Sequence, residues 1–506
     1  MTRVAVATTS QLAADAAREI ARAGGNAVDC AIAASLLTMN TEPGVCALAG
    51  GAYVSIWKPG EQPVTIDGNV NTPGLGLPES ELGRGGIEVE MEYGGGVRTI
   101  IGPGSVGVPG ALAAIDLAWQ RYGNARWQDL FAGSIAAARD GFPLSSACHH
   151  YLEYSGKSIF GHSEDGFRAL HRDNGELRGP GERIIVPHLA DSLAAIASEG
   201  SAVFYKGSLG NAIADFIQQT GGMLTREDLA AYSPLARPSL LVEIGDWQIA
   251  TNPAPAIGGA MLAAMLLAFG NEKFATWTER EIRRLIDVQY ATLQYRSSQF
   301  KGEDDAAAEI SRLLQAARSG LLLSRWSSAS TVHTSAVDES GLACAITASA
   351  GYGSGEMAPG TGIWLNNCVG ELELNAAGLL AGPPGIRLPS NMAPTTARNN
   401  GAVMAAGSPG ADRITTALHQ FFVNYIQCGM GLETAVRHPR LHLDFVSDAP
   451  RVSVEPGVSL PPLDWQLRKY EDIGMFFGGV AAAVFDRQSG FEVAADPRRA
   501  GGTFVG

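Results

Sequence analysis

Thr331, His333, Thr347 and Ser349 fall close together in "STVHTSAVDESGLACAITAS", residues 330 to 349. Hydroxyls beside a single histidine suggest nucleophilic chemistry, but a threonine hydroxyl is a weak nucleophile until a base removes its proton. The stretch reads as two strands joined by Glu339–Ser340–Gly341, with glycine where a three-residue hairpin and its bulge need a left-handed residue. That connection sets a register in which Asp338 faces Leu342, His333 faces Thr347 and Thr331 faces Ser349. A Thr–Ser cross-strand pair is an ordinary sheet contact. The chemical alternative is that Thr331 becomes a chain terminus after cleavage, so that its α-amine serves as the base for its own hydroxyl.

The rest of the chain supplies elements to position this hairpin. Apolar spacing predicts a helix over Gln11–Ala23, stopped by Gly24–Gly25, and a second from Asn26 to Met39. Strand signals follow in "AYVSIW" and "PVTID", then a glycine-rich turn before a helix in "GPGSVGVPGALAAIDLAWQRYG". From about Trp127 to Ala231 the pattern is mainly helical. Strand returns over Ser239–Ala250, "APAIGGAMLAAMLLAF" reads as a buried helix, and Thr278 to Arg325 is charged and helical. Strand signals dominate from Thr331 onward, interrupted by a helix around Ile414–Cys428. Without a repeat or a low-complexity linker, the two halves are expected to form one compact α/β unit.

Composition narrows the function. A chain of 506 residues, 46% of them hydrophobic, can bury a large core. Its formal charge of −14 disfavours a surface that tracks nucleic-acid phosphates. No apolar run is long enough to span a bilayer and no export signal is visible, so neither a membrane nor a nucleic-acid partner is expected, and a cytoplasmic location is. The six cysteines are scattered without CxxC spacing and indicate neither a zinc site nor a redox pair.

Beyond the hairpin, "STVHTSAVDESG", "YGSG", "GTGIWLNN", "SNMAPT" and "GSPGADRITT" occur in order. Upstream stand "GGNAVDCAIAASL", "EPGVCALAGGAYV", "FYKGSLGNAIADFIQQTGGMLTREDLAAY" and "NPAPAIGG". Together these resemble the γ-glutamyltranspeptidase family of N-terminal-nucleophile hydrolases across nearly the whole chain. The resemblance implies a four-layer αββα fold and a precursor that cuts itself between Ser330 and Thr331. Residues 1–330 would form a large chain and residues 331–506 a small one, both held in one folded body.

Matched motif by motif, Thr331 takes the place of the nucleophile and Ser349 that of the hydroxyl beside the new amine. Gly410 and Ala411 take the place of the backbone donors to the oxyanion, with alanine where the family usually has a second glycine. The substrate-binding positions depart further. Asn69 stands where the family has the arginine that clamps the glutamyl α-carboxylate, and Ser390–Asn391 replaces a pair of serines. Cys368 replaces a glutamine, and Gly370–Glu371 replaces an acidic pair. The resemblance therefore implies a small acyl-amide substrate without a metal or organic cofactor, but losing a bidentate charged partner should cost about 2 to 5 kcal/mol for a carboxylate. Ordinary γ-glutamyl peptides are expected to be poor substrates, while Glu371 still favours an amine-bearing acyl group.

Other features carry less. "GPGSVGVPG" and "GYGSGEMAPG" lack the pattern of a phosphate cradle, and adjacent His149 and His150 diverge too far to share a metal. His333 reads as a structural residue that aids cleavage rather than as a general base, and Arg413 and Arg498 as salt-bridge residues. Two functions remain: an active self-processing amide hydrolase or acyltransferase, or a catalytically inactive family member that serves as a binding or scaffold protein. Retention of Thr331, His333, Ser349 and the Ser-Pro-Gly turn favours the enzyme.

Overall fold

A computed structural model describes residues 2–92, 96–299, 306–319, 331–375, 377–446 and 449–506. Thirteen strands form its two main sheets. In chain order they are β1 (Val4–Thr8), β2 (Gly51–Trp57), β3 (Val64–Gly68), β4 (Leu235–Pro238), β5 (Leu240–Ile244), β6 (Trp247–Thr251) and β7 (Val332–Asp338). There follow β8 (Ala343–Ser349), β9 (Thr395–Arg398), β10 (Ala402–Gly407), β11 (Ala481–Asp486), β12 (Gly490–Ala495) and β13 (Gly502–Val505). The first sheet runs β13-β1-β7-β8-β2-β3-β4 and the second β12-β11-β10-β9-β6-β5.

Helices cover the outer face of each sheet. Against the first lie Gln11–Arg22, Ala27–Thr41 and Ala111–Tyr122, among others, in one continuous apolar core. The Ala27–Thr41 helix is buried all round and begins with a capping box in which Asn26 and Asp29 satisfy each other's backbone donors. Against the second sheet lie Ile257–Phe269, Glu279–Gln299, Ala306–Ser319 and Arg413–Phe422. The layer between the sheets is lined mainly by alanines, Ala5, Ala250, Ala343, Ala345, Ala405 and Ala483, together with Trp57, Val337 and Val403. This is the four-layer αββα arrangement that the sequence motifs imply.

The hairpin adopts the predicted register. His333 pairs with Thr347 and Val332 with Ala348, and the Asp338 N–H donates to the Leu342 carbonyl. Gly341 has a φ of 85°, as the turn requires. The strand period of two then sorts side chains between layers. Val332, Ala336, Ile346 and Ala348 join the helix-side core, whereas Val337, Ala343 and Ala345 join the inter-sheet layer. Strands β7 and β8 lie between β1 and β2, so segments on both sides of Thr331 are hydrogen-bonded into one sheet.

Two sequence expectations need correction. Between Ser349 and Thr395 the chain makes turns, isolated bridges and short 3-10 segments rather than sheet strands. Gly351, Gly353, Gly355, Gly360 and Gly362 all have positive φ and break any extended run. The helix expected over Ile414–Cys428 is α-helical only for Arg413–Phe422, then widens to a π-turn over Val423–Gln427. Of the helical stretch expected over Thr278–Arg325, helices occupy Glu279–Gln299 and Ala306–Ser319, and its last residues lie outside those described.

Candidate active site

Antiparallel neighbours alternate in direction, so the start of β7, the end of β8, the start of β2 and the end of β3 share one edge of the first sheet. Thr331, Ser349, Gly51 and Asn69 therefore stand in a row, with Ser349 paired to Gly51 and Ala52 to Gly68. A side chain at Gly50 would meet the Ser349 carbonyl, and one at Gly51 would come within 2.5 Å of Asn69 Oδ1. The two glycines let this edge close tightly. At the same end of the sandwich, β10 finishes at Gly407 and leads into Ser408–Pro409–Gly410–Ala411.

A narrow cleft opens there. Its lining includes Asn69, Thr331, Ser349, Cys368, Glu371, Ser390, Asn391 and Ala411, every predicted site residue but Gly410 and Ser330. Gly410 precedes Ala411 but is not part of the lining, and Ser330 lies outside the described residues. Sequence reading missed the apolar wall formed by Leu374, Leu388, Pro389 and Met392. Pro389 and Met392 flank Ser390–Asn391 directly and Leu388 is one residue further, a proximity that could have nominated them.

Backbone contacts pin each wall. The Ser390 carbonyl accepts from the N–H groups of Ile257 and Gly258, at the start of the buried Ile257–Phe269 helix. Asn252 Nδ2 donates to the Met392 carbonyl at 2.8 Å. Across the cleft, Asn366 Oδ1 accepts from the Cys368 N–H and Asn375 Nδ2 donates to the Cys368 carbonyl. Ser349 Oγ accepts from the Gly351 N–H at 3.1 Å.

Ala411 has a φ of 67°, a left-handed conformation that strains a residue with a Cβ. At Gly410, where φ is 122°, a Cβ would sit 2.7 Å from Gly478 Cα. The carbonyls of both residues accept from the first turn of the Arg413–Phe422 helix. Their N–H groups donate to no acceptor among the described residues. Free donors of this kind suit a developing oxyanion.

His333 lies outside this cleft, in the inter-sheet layer, where its ring presses on Gly407. Ser335 Oγ donates its only proton to the Ala481 carbonyl, so it accepts from His333 Nε2; Thr347 in turn donates to Nδ1. Burial pushes the imidazole down to about 3, keeping it neutral. It braces β7 against β8 and β11. Arg413 and Arg498 make buried ion pairs with Asp412 and with Glu455 and Asp496.

The cleft's charge is unusual. Among its described lining residues there is no Arg, Lys or His, and Glu371 is the only carboxylate. Burial first, then the neighbouring Glu373, pushes the Glu371 carboxyl well above its usual range, which favours the protonated form. Burial also raises the Cys368 thiol, with Glu371 adding to the effect, so the sulfur is not a poised nucleophile. Two arginines come near but are committed elsewhere. Arg387 and Arg237 both pair with Asp67, the one at 3.2 Å and the other at 3.0 Å, on the far side of Asn69. Among the described residues no cluster of His, Cys, Asp and Glu is placed to hold a metal, and no helix is long and apolar enough to cross a membrane.

An αββα sandwich with a threonine entering a central strand beside free backbone donors defines an N-terminal-nucleophile hydrolase fold. The gamma-glutamyltranspeptidase family model matches residues 13–505, and the chain belongs to that family of enzymes. The glutathione hydrolase proenzyme of Escherichia coli K12 is 28% identical over 483 residues, spanning 88% of this chain and 81% of that protein. The acylase ACY 1 proenzyme of Pseudomonas sp. V22 is 28% identical over 477 residues, spanning 86% and 82%. The crystal structure of cephalosporin acylase from Bacillus halodurans superposes with a TM-score of 0.80 at 22% identity, covering 99% of this chain and 96% of that one.

Proposed function

We propose that the chain is a self-processing amide hydrolase or acyltransferase with Thr331 as nucleophile, acting on a γ-glutamyl-like or related small acyl amide. One observation carries the reading: Thr331 opens onto the same cleft as Ser349 and Ala411. In processing, the Thr331 hydroxyl attacks the Ser330 carbonyl, the peptide C–N bond breaks to give an ester, and water opens the ester. A large chain of residues 1–330 and a small chain of 331–506 result, held together by the shared sheet.

In turnover, the new Thr331 amine takes the hydroxyl proton as Oγ bonds to the substrate carbonyl, and Ser349 orients that amine. The Gly410 and Ala411 N–H groups receive the oxyanion. The proton then passes to the departing amine as the scissile C–N bond breaks, and water or an acceptor amine releases the acyl group from Thr331.

The test is intact-mass analysis of the purified protein, with and without an acyl amide. The expected result is two chains for the wild type, one for Thr331→Ala, and an acyl adduct on the small chain. A folded wild-type protein that stays uncut and takes up no acyl group would refute the reading and support the scaffold alternative.

A further inference from the structure

The geometry points to an acyl pocket that selects an uncharged carbonyl acceptor, such as a carboxamide, at the Ser390–Asn391 end of the cleft, and disfavours a carboxylate there. This inference rests on the proposed acyl transfer from Thr331 and names the class of acyl group transferred.

The first observation is an unsatisfied donor. Asn391 is 6% exposed and lines the cleft, yet its Nδ2 has no acceptor among the described residues. A buried amide donor left unpaired is costly, and a ligand oxygen would relieve it. Ser390 Oγ accepts from the Met392 N–H at 3.2 Å, which leaves its own proton available for the same ligand oxygen. Because the Ser390 carbonyl is anchored on the Ile257 and Gly258 N–H groups, the two side chains are presented from a fixed backbone.

The second observation concerns charge. A buried carboxylate needs a cation or several charge-assisted hydrogen bonds. Asn69 cannot supply a charge, and its Nδ2 already donates to the Leu388 carbonyl at 2.8 Å. Arg387, on the far side, donates through Nη1 to the Asn69 carbonyl at 2.6 Å and to Asn71 Oδ1 at 2.8 Å, while Nε pairs with Asp67. Its guanidinium also lies over the Tyr232 ring, 4.9 Å from the centroid. Releasing it toward the cleft would uncover the buried Asp67 carboxylate. Glu371, which burial favours in its protonated form, offers an incoming carboxylate no counterion either. A carboxamide supplies an acceptor to Asn391 and brings no charge that lacks a counterion.

Four p-nitroanilides separate this inference from its parent. Two carry the amine, γ-glutamyl and its α-carboxamide counterpart isoglutaminyl; two lack it, glutaryl and its counterpart glutaramoyl. For processed wild-type protein we expect kcat/KM at least about tenfold higher for the carboxamide in each pair, a difference of about 1.4 kcal/mol. Asn391→Leu should erase that preference and Asn69→Arg should reverse it. Equal rates, or a preference for the carboxylates, would overturn the inference while leaving processing and the Thr331 ester intact. A protein that is not cut and forms no ester fails the parent reading instead. Calorimetric binding of butanamide and butanoate, each with a single polar end group, then decides the pocket's preference, and tighter or equal binding of butanoate overturns it.

Discussion

Arg387 Nη1 donates to the main-chain oxygen of Asn69 at 2.6 Å, placing a guanidinium directly behind a residue that lines the cleft. The positive charge is thus near the cleft but turned away from it. Its counterion is Asp67, fully buried on β3 and shared with Arg237.

This arrangement predicts that Arg387 acts in stability. Arg387→Met leaves the buried Asp67 carboxylate with Arg237 as its remaining partner, so the loss should stay below the roughly 3 to 5 kcal/mol of a fully uncompensated buried charge. Denaturant midpoints should show the loss, and Asp67→Asn combined with Arg387→Met should recover part of it. A single variant as stable as wild type would show that the pair is dispensable.

Ala411 gives a prediction of opposite sign. At a φ of 67° alanine carries left-handed strain of about 1 to 2 kcal/mol that glycine avoids. Ala411→Gly should raise stability by about 1 kcal/mol after the entropic cost of glycine and leave processing intact. Gly410→Ala should do the reverse, because its Cβ would strike Gly478 Cα at 2.7 Å. Melting temperatures of the two variants relative to wild type check both signs.

What could be read from the sequence follows the range of each interaction. The hairpin was legible because Gly341 fixes the turn and strand alternation propagates the register to Thr331 and Ser349. Asn69, Cys368, Glu371, Ser390 and Asn391 were placed by motif order, and the fold gathers them at one cleft. The Asp67–Arg387 pair had no such signal. Its members are 320 residues apart, and "IDGNV" and "GIRLPSN" contain nothing that names a partner. The turns between Ser349 and Thr395 were misread because apolar runs there suggested strands, whereas positive-φ glycines govern the backbone. The neutrality of His333 likewise depends on the second sheet, which closes over it at Gly407 and Ala481.

That buried histidine, together with His419, predicts a loss of stability in acid. Burial holds both at about 3 in the folded chain, below their ordinary value of 6.5. Above pH 6.5 neither state takes up these protons; between 6.5 and 3 the unfolded chain binds them and the folded chain does not. Stability should therefore fall as pH drops through that window, by up to about 1.4 kcal/mol per pH unit for each histidine. Glu42 works in the opposite sense, since burial raises it to about 7 and favours the folded state at lower pH between 7 and 4.5. A difference measurement removes that contribution. His419 is the better residue to replace, because neither ring nitrogen has a hydrogen-bond partner among the described residues and the ring centroid lies 5.3 Å from that of Phe269. The gap in unfolding free energy between His419→Leu and wild type, measured in denaturant from pH 7 to pH 4, should move in the variant's favour as the solution is acidified. A gap that stays constant would show that His419 is protonated equally in both states.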